Sequence, residues 1–498
     1  MDKRQEALTN TLLKKKIGRT ALQILTALLL ALLLAGCFTV GPDYLPPETL
    51  TPGKWNTDLK DGLSSEPADP QTLASWWQTL DDPTLTNLIE RAVEGNLDLK
   101  QARARVREAR ARRGITEADR FPIIDATGSA RYSRSSEDSG SGDTRDLYAV
   151  GFDASWELDL FGGVRRSIES AQAALEASEE DLADVLVSLL AEVGLNYVEA
   201  RTLQTRLAVA EENLKAQADT YEITVYRAEA GLTTALDVEQ AKYNLEDTRS
   251  RIPTLRSSLE EAKNRLAVLL GTQPGAMHGE MAEPKSIPVT PLEIAVGVPA
   301  DVLRRRPDVR RAERELANQT AQIGVATADL YPKFSLLGSI GLEALSFGKL
   351  FAAGSRTYGV GPSFSWNIFD AGAIRKNIEV QNALQEQKLI QYEATILTAL
   401  EDVQNALVAY AEEQQRRQSL MSATKAAQIA VDLSVFQYSS GLIDFRDVLD
   451  AQRSLLSFQD QLAGSDGTVT SNLIRLYKAL GGGWTSMANG AGKQNAKK

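Results

Sequence analysis

The chain has 498 residues, 43% hydrophobic and 24% charged, which suits a large buried core and about two to four domains or one repeated architecture. Its 55 basic and 66 acidic residues leave a formal charge of −11, which excludes a nucleic-acid partner, because phosphate binding needs a basic surface. One cysteine and one histidine leave no internal disulfide and too few parts for zinc ligation or for Cys/His or Ser/His catalysis.

At the N-terminus, Lys14, Lys15, Lys16 and Arg19 precede an apolar run over 21–34. That order and length describe a secretory signal peptide rather than a membrane-spanning helix. The run ends in Leu34-Ala35-Gly36-Cys37, a bacterial lipobox pattern. Cys37 is therefore expected to follow a signal over 1–36 and to carry a covalent diacylglycerol and an N-acyl lipid, with no other cofactor. Each buried CH₂ contributes about 0.8 kcal/mol, so several acyl chains anchor a protein almost permanently. Phe38 stands where an inner-membrane lipoprotein would resemble an aspartate signal, which favours the outer membrane. Removing 1–36, with six basic and two acidic residues, leaves 49 basic against 64 acidic and a net charge of −15. Beyond the signal no apolar stretch reaches 18 residues, so a membrane crossing would need β-strands.

From there a repeat runs through the chain at a constant offset of 210 positions. Asp98 matches Asp308, Gly114 matches Gly324, and Ala118-Asp119 matches Ala328-Asp329. Gly231-Leu232 matches Gly441-Leu442, Asp237-Val238 matches Asp447-Val448, and Leu270-Gly271 matches Leu480-Gly481. A shared offset over such a span means duplication. The expected order is an anchor and equatorial segment over 37–96, repeat 1 over 97–271, a connection over 272–306, repeat 2 over 307–481, and a small, polar, disordered tail from 482 to 498. Each repeat reads as a helix ending before a Pro, a β-hairpin (121–161 and 332–369), a very long helix, a Gly-containing turn and a shorter helix. A helix over 163–230 would extend about 100 Å, so it must pack against others like it.

The hairpins alternate. Tyr148, Val150, Phe152, Ala154, Trp156, Leu158 and Leu160 are interleaved with Asp153, Ser155, Glu157 and Asp159. In repeat 2, Tyr358, Val360, Phe364, Trp366 and Ile368 alternate with Gly359, Ser363, Ser365 and Asn367, and Pro362 interrupts the pattern. Ile124, Ala126, Ala130 and Tyr132 make a weaker face, and Phe334, Leu336, Ile340 and Leu342 a similar one. Such alternation fits a transmembrane barrel, apolar to lipid and polar to lumen, and equally a half-buried sheet in a soluble sandwich. The lipobox and the polar loop over 133–146 favour the barrel. Four strands cannot close around a channel, so a pore would be shared among several chains in cyclic symmetry.

These residues resemble the TolC-like outer-membrane factors, specifically the NodT-type lipoprotein branch serving resistance–nodulation–division pumps. The carriers are Cys37, Gly41-Pro42-Asp43-Tyr44, Trp76-Trp77, Asp82-Pro83, the run from Val298-Pro299 to Arg306-Pro307-Asp308-Val309, Tyr331-Pro332, Phe369-Asp370-Ala371-Gly372, and Gly481-Gly482-Gly483-Trp484. The resemblance spans the mature chain. It implies a mixed α and β membrane protein, a homotrimer whose four strands per chain make a twelve-stranded β-barrel. Below it, long helical hairpins would form a periplasmic α-barrel with an equatorial belt. The implied partners are outer-membrane lipid, a periplasmic adaptor protein and an inner-membrane transporter of that pump class.

By the same resemblance, the adaptor docks at two helix–turn–helix tips, Gly231-Leu232-Thr233 and Gly441-Leu442-Ile443. Asp447 and Asp450 align with the acidic ring that narrows the closed channel, with Asp237 the repeat counterpart of Asp447 and Tyr438 a hydrogen-bonding candidate near the entrance. A carboxylate ring at a constriction favours cations. An aspartate in the first turn of a helix also satisfies exposed backbone donors, which is the plainer reading of Asp447 and Asp237. The family closes with an arginine in the second turn; Ile443 stands there, with Arg446 and Arg227 displaced nearby, so closure rests on other contacts. His278 lies in a Pro/Gly-rich connection, and Gly481-Gly482-Gly483 lacks the Lys-Ser/Thr of a phosphate loop, so the chain reads as no enzyme. The expected function is the outer-membrane channel of a tripartite efflux system. The alternatives are a type I protein-secretion duct and, in a different class, a periplasmic adaptor lipoprotein, which would carry one helical hairpin rather than two.

Overall fold

The computed structural model describes residues 39–48, 52–57, 59–60, 62–67, 69–288 and 294–484. The signal peptide, Cys37, Phe38 and the tail from 485 lie outside the described residues. In chain order the elements are β1 (Leu63–Ser64), α1 (Pro70–Ala74), α2 (Pro83–Gly95), α3 (Leu97–Ala118), β2 (Ile123–Arg134), β3 (Thr144–Leu158), α4 (Gly163–Glu229) and α5 (Ala235–Leu269). There follow β4 (Ile294–Ala295), α6 (Pro299–Arg305), α7 (Pro307–Ala328), β5 (Lys333–Ala344), β6 (Arg356–Ser365), α8 (Ala373–Ser439) and α9 (Phe445–Ala479). The bounds of α3, β2, α4 and α5 recur 210 positions later in α7, β5, α8 and α9. Duplication therefore extends from sequence to element boundaries. Among the described residues no helix is long and apolar enough to cross a membrane.

The chain divides into two compact units. The first comprises residues 39–47, Glu108–Glu176 and Glu313–Ile390. It holds a four-stranded antiparallel sheet in the order β2-β3-β5-β6. Antiparallel register pairs even numbers with even numbers: Ala126 lies opposite Phe152, Phe152 opposite Ile340, and Ile340 opposite Tyr358. One face is therefore apolar over the middle of the sheet, with Arg134, Asp146 and Arg356 only toward the strand ends, while Asp125, Asp153 and Ser339 align on the other. The apolar face is exposed in the single chain, as are the outer edges of β2 and β6. Pro362 sits on edge strand β6, where a missing N–H costs little. Trp156 Nε1 donates to the Arg120 carbonyl at 2.9 Å, and its repeat counterpart Trp366 donates to Leu330 at 3.1 Å.

The segment following the lipidation motif is tied into this unit. Buried Arg166 donates to the carbonyls of Val40 at 3.0 Å and Gly41 at 3.2 Å and to Asp43 at 2.7 Å. Burial lowers the Arg166 pKa, but hydrogen bonds to Glu169 and Asp43 outweigh it and raise it overall, so the cation stays charged.

The second unit comprises 48–107, Ala177–Ala312 and 391–484. Its core gathers Leu85, Leu88 and Ile89 of α2, Leu190 and Tyr197 of α4, Leu266 of α5, and Leu473 and Ile474 of α9. Each such side chain contributes roughly 1.5–3 kcal/mol when fully buried. Trp76 stacks on Tyr477 with ring centroids 5.8 Å apart, and β1 pairs in parallel with β4. Arg306 of the Arg-Pro-Asp motif bonds Asp308 at 2.7 Å, Asp402 at 2.9 Å and the Ala479 carbonyl at 3.1 Å. One guanidinium thus ties α7, α8 and α9 together.

Candidate functional site: the two hairpin tips

Both tips lie in the second unit, and both start from the same backbone device. After α4, Gly231 takes φ 71°, and Leu232 N donates to the Arg227 carbonyl at 2.8 Å. After α8, Gly441 takes φ 74°, and Leu442 N donates to Gln437 at 2.9 Å. Only glycine adopts this left-handed conformation without strain, and the bond satisfies a carbonyl that the helix end would orphan. The turn leaves Leu232 67% and Leu442 72% exposed, one apolar knob per tip.

The following residues differ. Thr234 caps α5 in a reciprocal capping box: Asp237 N donates to Thr234 Oγ1 at 3.3 Å, and Thr234 N donates to Asp237 Oδ2 at 2.9 Å. The hydroxyls of Thr233 and Thr234 also donate to Oδ2, at 2.6 and 2.7 Å. Burial raises the Asp237 pKa, but the hydrogen bonds from Thr233 and Thr234 outweigh it, so this carboxyl sits below its ordinary value. At the second tip the N-cap is Asp444, whose side chain makes no capping bond. Asp447 is exposed in the first turn of α9, and its N–H donates to the Asp444 carbonyl at 3.1 Å. Asp450, three residues on and also exposed, is approached by Arg453 at 3.5 Å and Arg446 at 3.9 Å. Asp447 and Asp450 thus share a helix face and keep oxygens available, whereas Asp237 has one oxygen engaged in its own turn.

Tyr438 lies in the last turn of α8, beside the second tip. Its buried hydroxyl has no hydrogen-bond partner among the described residues. Instead its ring packs 5.2 Å from Phe445 beside Val448 and Leu449, and the Arg227 guanidinium lies 4.6 Å from the ring centroid. Arg227, displaced from the family's gate position, therefore pins the end of α4 to the end of α8 by a cation–π contact. Sequence reading also missed Arg453. It lies over the Tyr243 ring at 4.9 Å, bonds the Tyr243 hydroxyl and reaches Asn244 at 2.9 Å, joining α9 to α5. No motif flagged it, because its partners sit about 210 residues away.

A paired-hairpin chain with a one-sided apolar sheet and two open sheet edges defines a class of membrane channel subunit. Comparison with known proteins agrees. The outer membrane efflux protein family matches residues 88–272 and again 298–482, and the chain belongs to that family. Nodulation protein T of Rhizobium leguminosarum bv. trifolii is 34% identical, over 92% of this chain and 97% of its own. The toluene efflux pump outer membrane protein TtgC of Pseudomonas putida is 32% identical, over 95% and 98%. Among solved structures, the outer-membrane channel OprN superposes with a TM-score of 0.85 at 37% identity, covering 90% of this chain and 99% of that one. The resemblance read from the motifs stands, as do the outer-membrane location and the mixed α and β channel fold. The family is one of outer-membrane efflux channels, not of enzymes.

Proposed function

We propose that three copies of this chain form the exit duct of a tripartite efflux system, passively conducting substrates from a periplasmic pump assembly to the exterior. The observation that carries the reading is the sheet of the first unit, whose even face is mainly apolar on all four strands and whose edges β2 and β6 have no partner strand among the described residues. Three such sheets joined edge to edge make a twelve-stranded barrel, apolar to lipid and polar within. Lipid on Cys37 anchors the same unit, in keeping with the clamp that Arg166 places on residues 40–43.

In the second unit, Gly231-Leu232-Thr233 and Gly441-Leu442-Ile443 present the exposed leucines to the periplasmic adaptor, which links the duct to an inner-membrane transporter of the resistance–nodulation–division class. Asp447 and Asp450 of three copies line the entrance and favour cations. Asp237 adds charge there with one oxygen committed to its cap, and Tyr438 supports the entrance through its ring. The relative TtgC, a toluene efflux pump component, favours efflux over protein secretion. Planar-bilayer conductance of the detergent-purified protein, with its mass measured on the same sample, tests the reading. Trimers with a small, cation-selective conductance are expected; a monomer without conductance would overturn it in favour of a periplasmic scaffold.

A further inference from the structure

Resting on the trimer just proposed, a second question is which surfaces of the helices meet between copies, and the internal duplication answers it. Within the second unit, α3 meets α4 through Arg105 and Asp181, and α4 meets α7 through Arg310–Glu180 at 2.6 Å and Arg311–Asp181 at 2.6 Å. In turn, α7 meets α8 through Val309 and Ala312 against Tyr392 and Ile396. The lateral order is therefore α3-α4-α7-α8, and α3 and α8 each keep one uncovered side. On α3 that side carries Leu97 and Ile115, 67% and 71% exposed, with Lys100 and Arg107. On α8 it carries Ile390 and Leu397, 57% and 67% exposed, with Glu386 and Glu393. One free face is basic and the other acidic, and both hold large apolar side chains that a solvated helix has no reason to display.

The α4–α7 contact joins repeat 1 to repeat 2. In a closed ring of three duplicated chains, the equivalent contact joins repeat 2 of one copy to repeat 1 of the next, that is, α8 to α3. The observed contact puts acids on α4 and bases on α7, running antiparallel: Arg310 meets Glu180, and in the first unit Arg314 meets Glu176 at 3.3 Å. Shifted by 210 positions, Arg310 becomes Lys100 and Glu176 becomes Glu386. The same shift places Lys100 opposite Ile390, one turn from Glu393, and Glu386 opposite Ala104, one turn from Arg107. The polarity is the same in both pairs: acids on the long helix, bases on the short one.

We infer that α8 of one copy packs against α3 of the next through two ion pairs a heptad apart, Glu393 with Lys100 and Glu386 with Arg107, flanked by Ile390, Leu397 and Leu97. The occupant of both free faces is a second copy of this chain, because each face complements the other in charge and is the repeat image of a contact already made inside the chain. An isolated surface pair is worth little, but like charges at both positions of every joint would repel across a largely desolvated seam.

The test compares four purified full-length proteins: wild type, Lys100→Glu/Arg107→Glu, Glu386→Lys/Glu393→Lys, and the fourfold swap. Light scattering on a temperature ramp reads trimer dissociation at low and high ionic strength. Each half-swap is expected to lower the dissociation temperature at low salt, less so at high salt, and the fourfold swap to restore it. The restored fourfold protein shows that the half-swaps fail at the joint rather than in folding. Half-swaps dissociating like the wild type, or a fourfold swap no better than they are, would overturn the pairing while leaving the trimer intact. A wild-type protein that runs as a monomer would overturn the trimer itself.

Discussion

The two hairpin tips were built from one ancestral segment and keep one backbone, yet they use their equivalent aspartates differently. Gly231 and Gly441 turn the chain alike, and Leu232 and Leu442 protrude alike. Two positions before the aligned aspartates separate them: Thr233-Thr234 at the first tip, Ile443-Asp444 at the second. Two hydroxyls hold the Asp237 carboxylate against its own helix start, whereas the equivalent Ile443 and Asp444 offer none, and Asp447 stays exposed. A capping box is a local arrangement worth about 1 kcal/mol, and it takes a carboxylate oxygen out of use. The first tip is therefore the better-fastened hairpin and the second the better electrostatic surface.

The largest effect that would sharpen this contrast comes from removing the exposed carboxylates. Asp447→Ala/Asp450→Ala is expected to weaken single-channel block by a trivalent cation by about tenfold or more, roughly 1.4 kcal/mol, while Asp237→Asn changes it far less. Equal effects in bilayer recordings would break the comparison. A smaller effect is expected from converting one tip into the other. Asp444→Thr supplies the missing N-cap hydroxyl, draws the Asp447 carboxylate back to its helix start, and so weakens cation block partially while stabilising the tip by up to about 1 kcal/mol. Block left unchanged in the recordings, beside a hairpin no slower in amide exchange, would say that the hydroxyl does not decide the matter.

The smallest effect is local. Thr234→Ala is expected to cost about 1 kcal/mol at the first tip, read as faster amide exchange in the first turn of α5, with block unaltered. The same turn carries a pH signature. The folded pKa of Asp237 is depressed, so its contribution is complete above the unfolded value, near 3.9, and is lost as pH falls through the lower folded value. Amide exchange at the first tip should accelerate over that acid range in wild type and not in Asp237→Asn. An identical acid response in both proteins would remove Asp237 from the account.

Much of this was legible in the chain. A constant offset of 210 located both repeats, because glycine turns, X-Pro helix ends and helix stops are demanded by backbone sterics. Alternation over β3, β5 and β6 predicted a sheet with one apolar face, because strand side chains alternate whatever the partner strand is. The tips followed from the same turn chemistry. Other features depended on side chains that meet only after folding. Tyr438 reads as a hydrogen-bonding residue by type, and only the fold shows its ring packed by Arg227 and Phe445 with no hydroxyl partner among the described residues. Arg453 carries no motif at all, and its partners Tyr243 and Asn244 come from the other repeat.

The sequence by itself determined the duplication, the helix and strand periods, the turns and the family, since each is written in residues close along the chain or at one fixed spacing. Tertiary structure alone decided which carboxylates are engaged and which stay free, which aromatic packs rather than bonds, and which helix faces remain uncovered. Those outcomes turn on the meeting of single atoms from distant segments, at distances of about 3 Å where one methylene of displacement makes or loses a hydrogen bond.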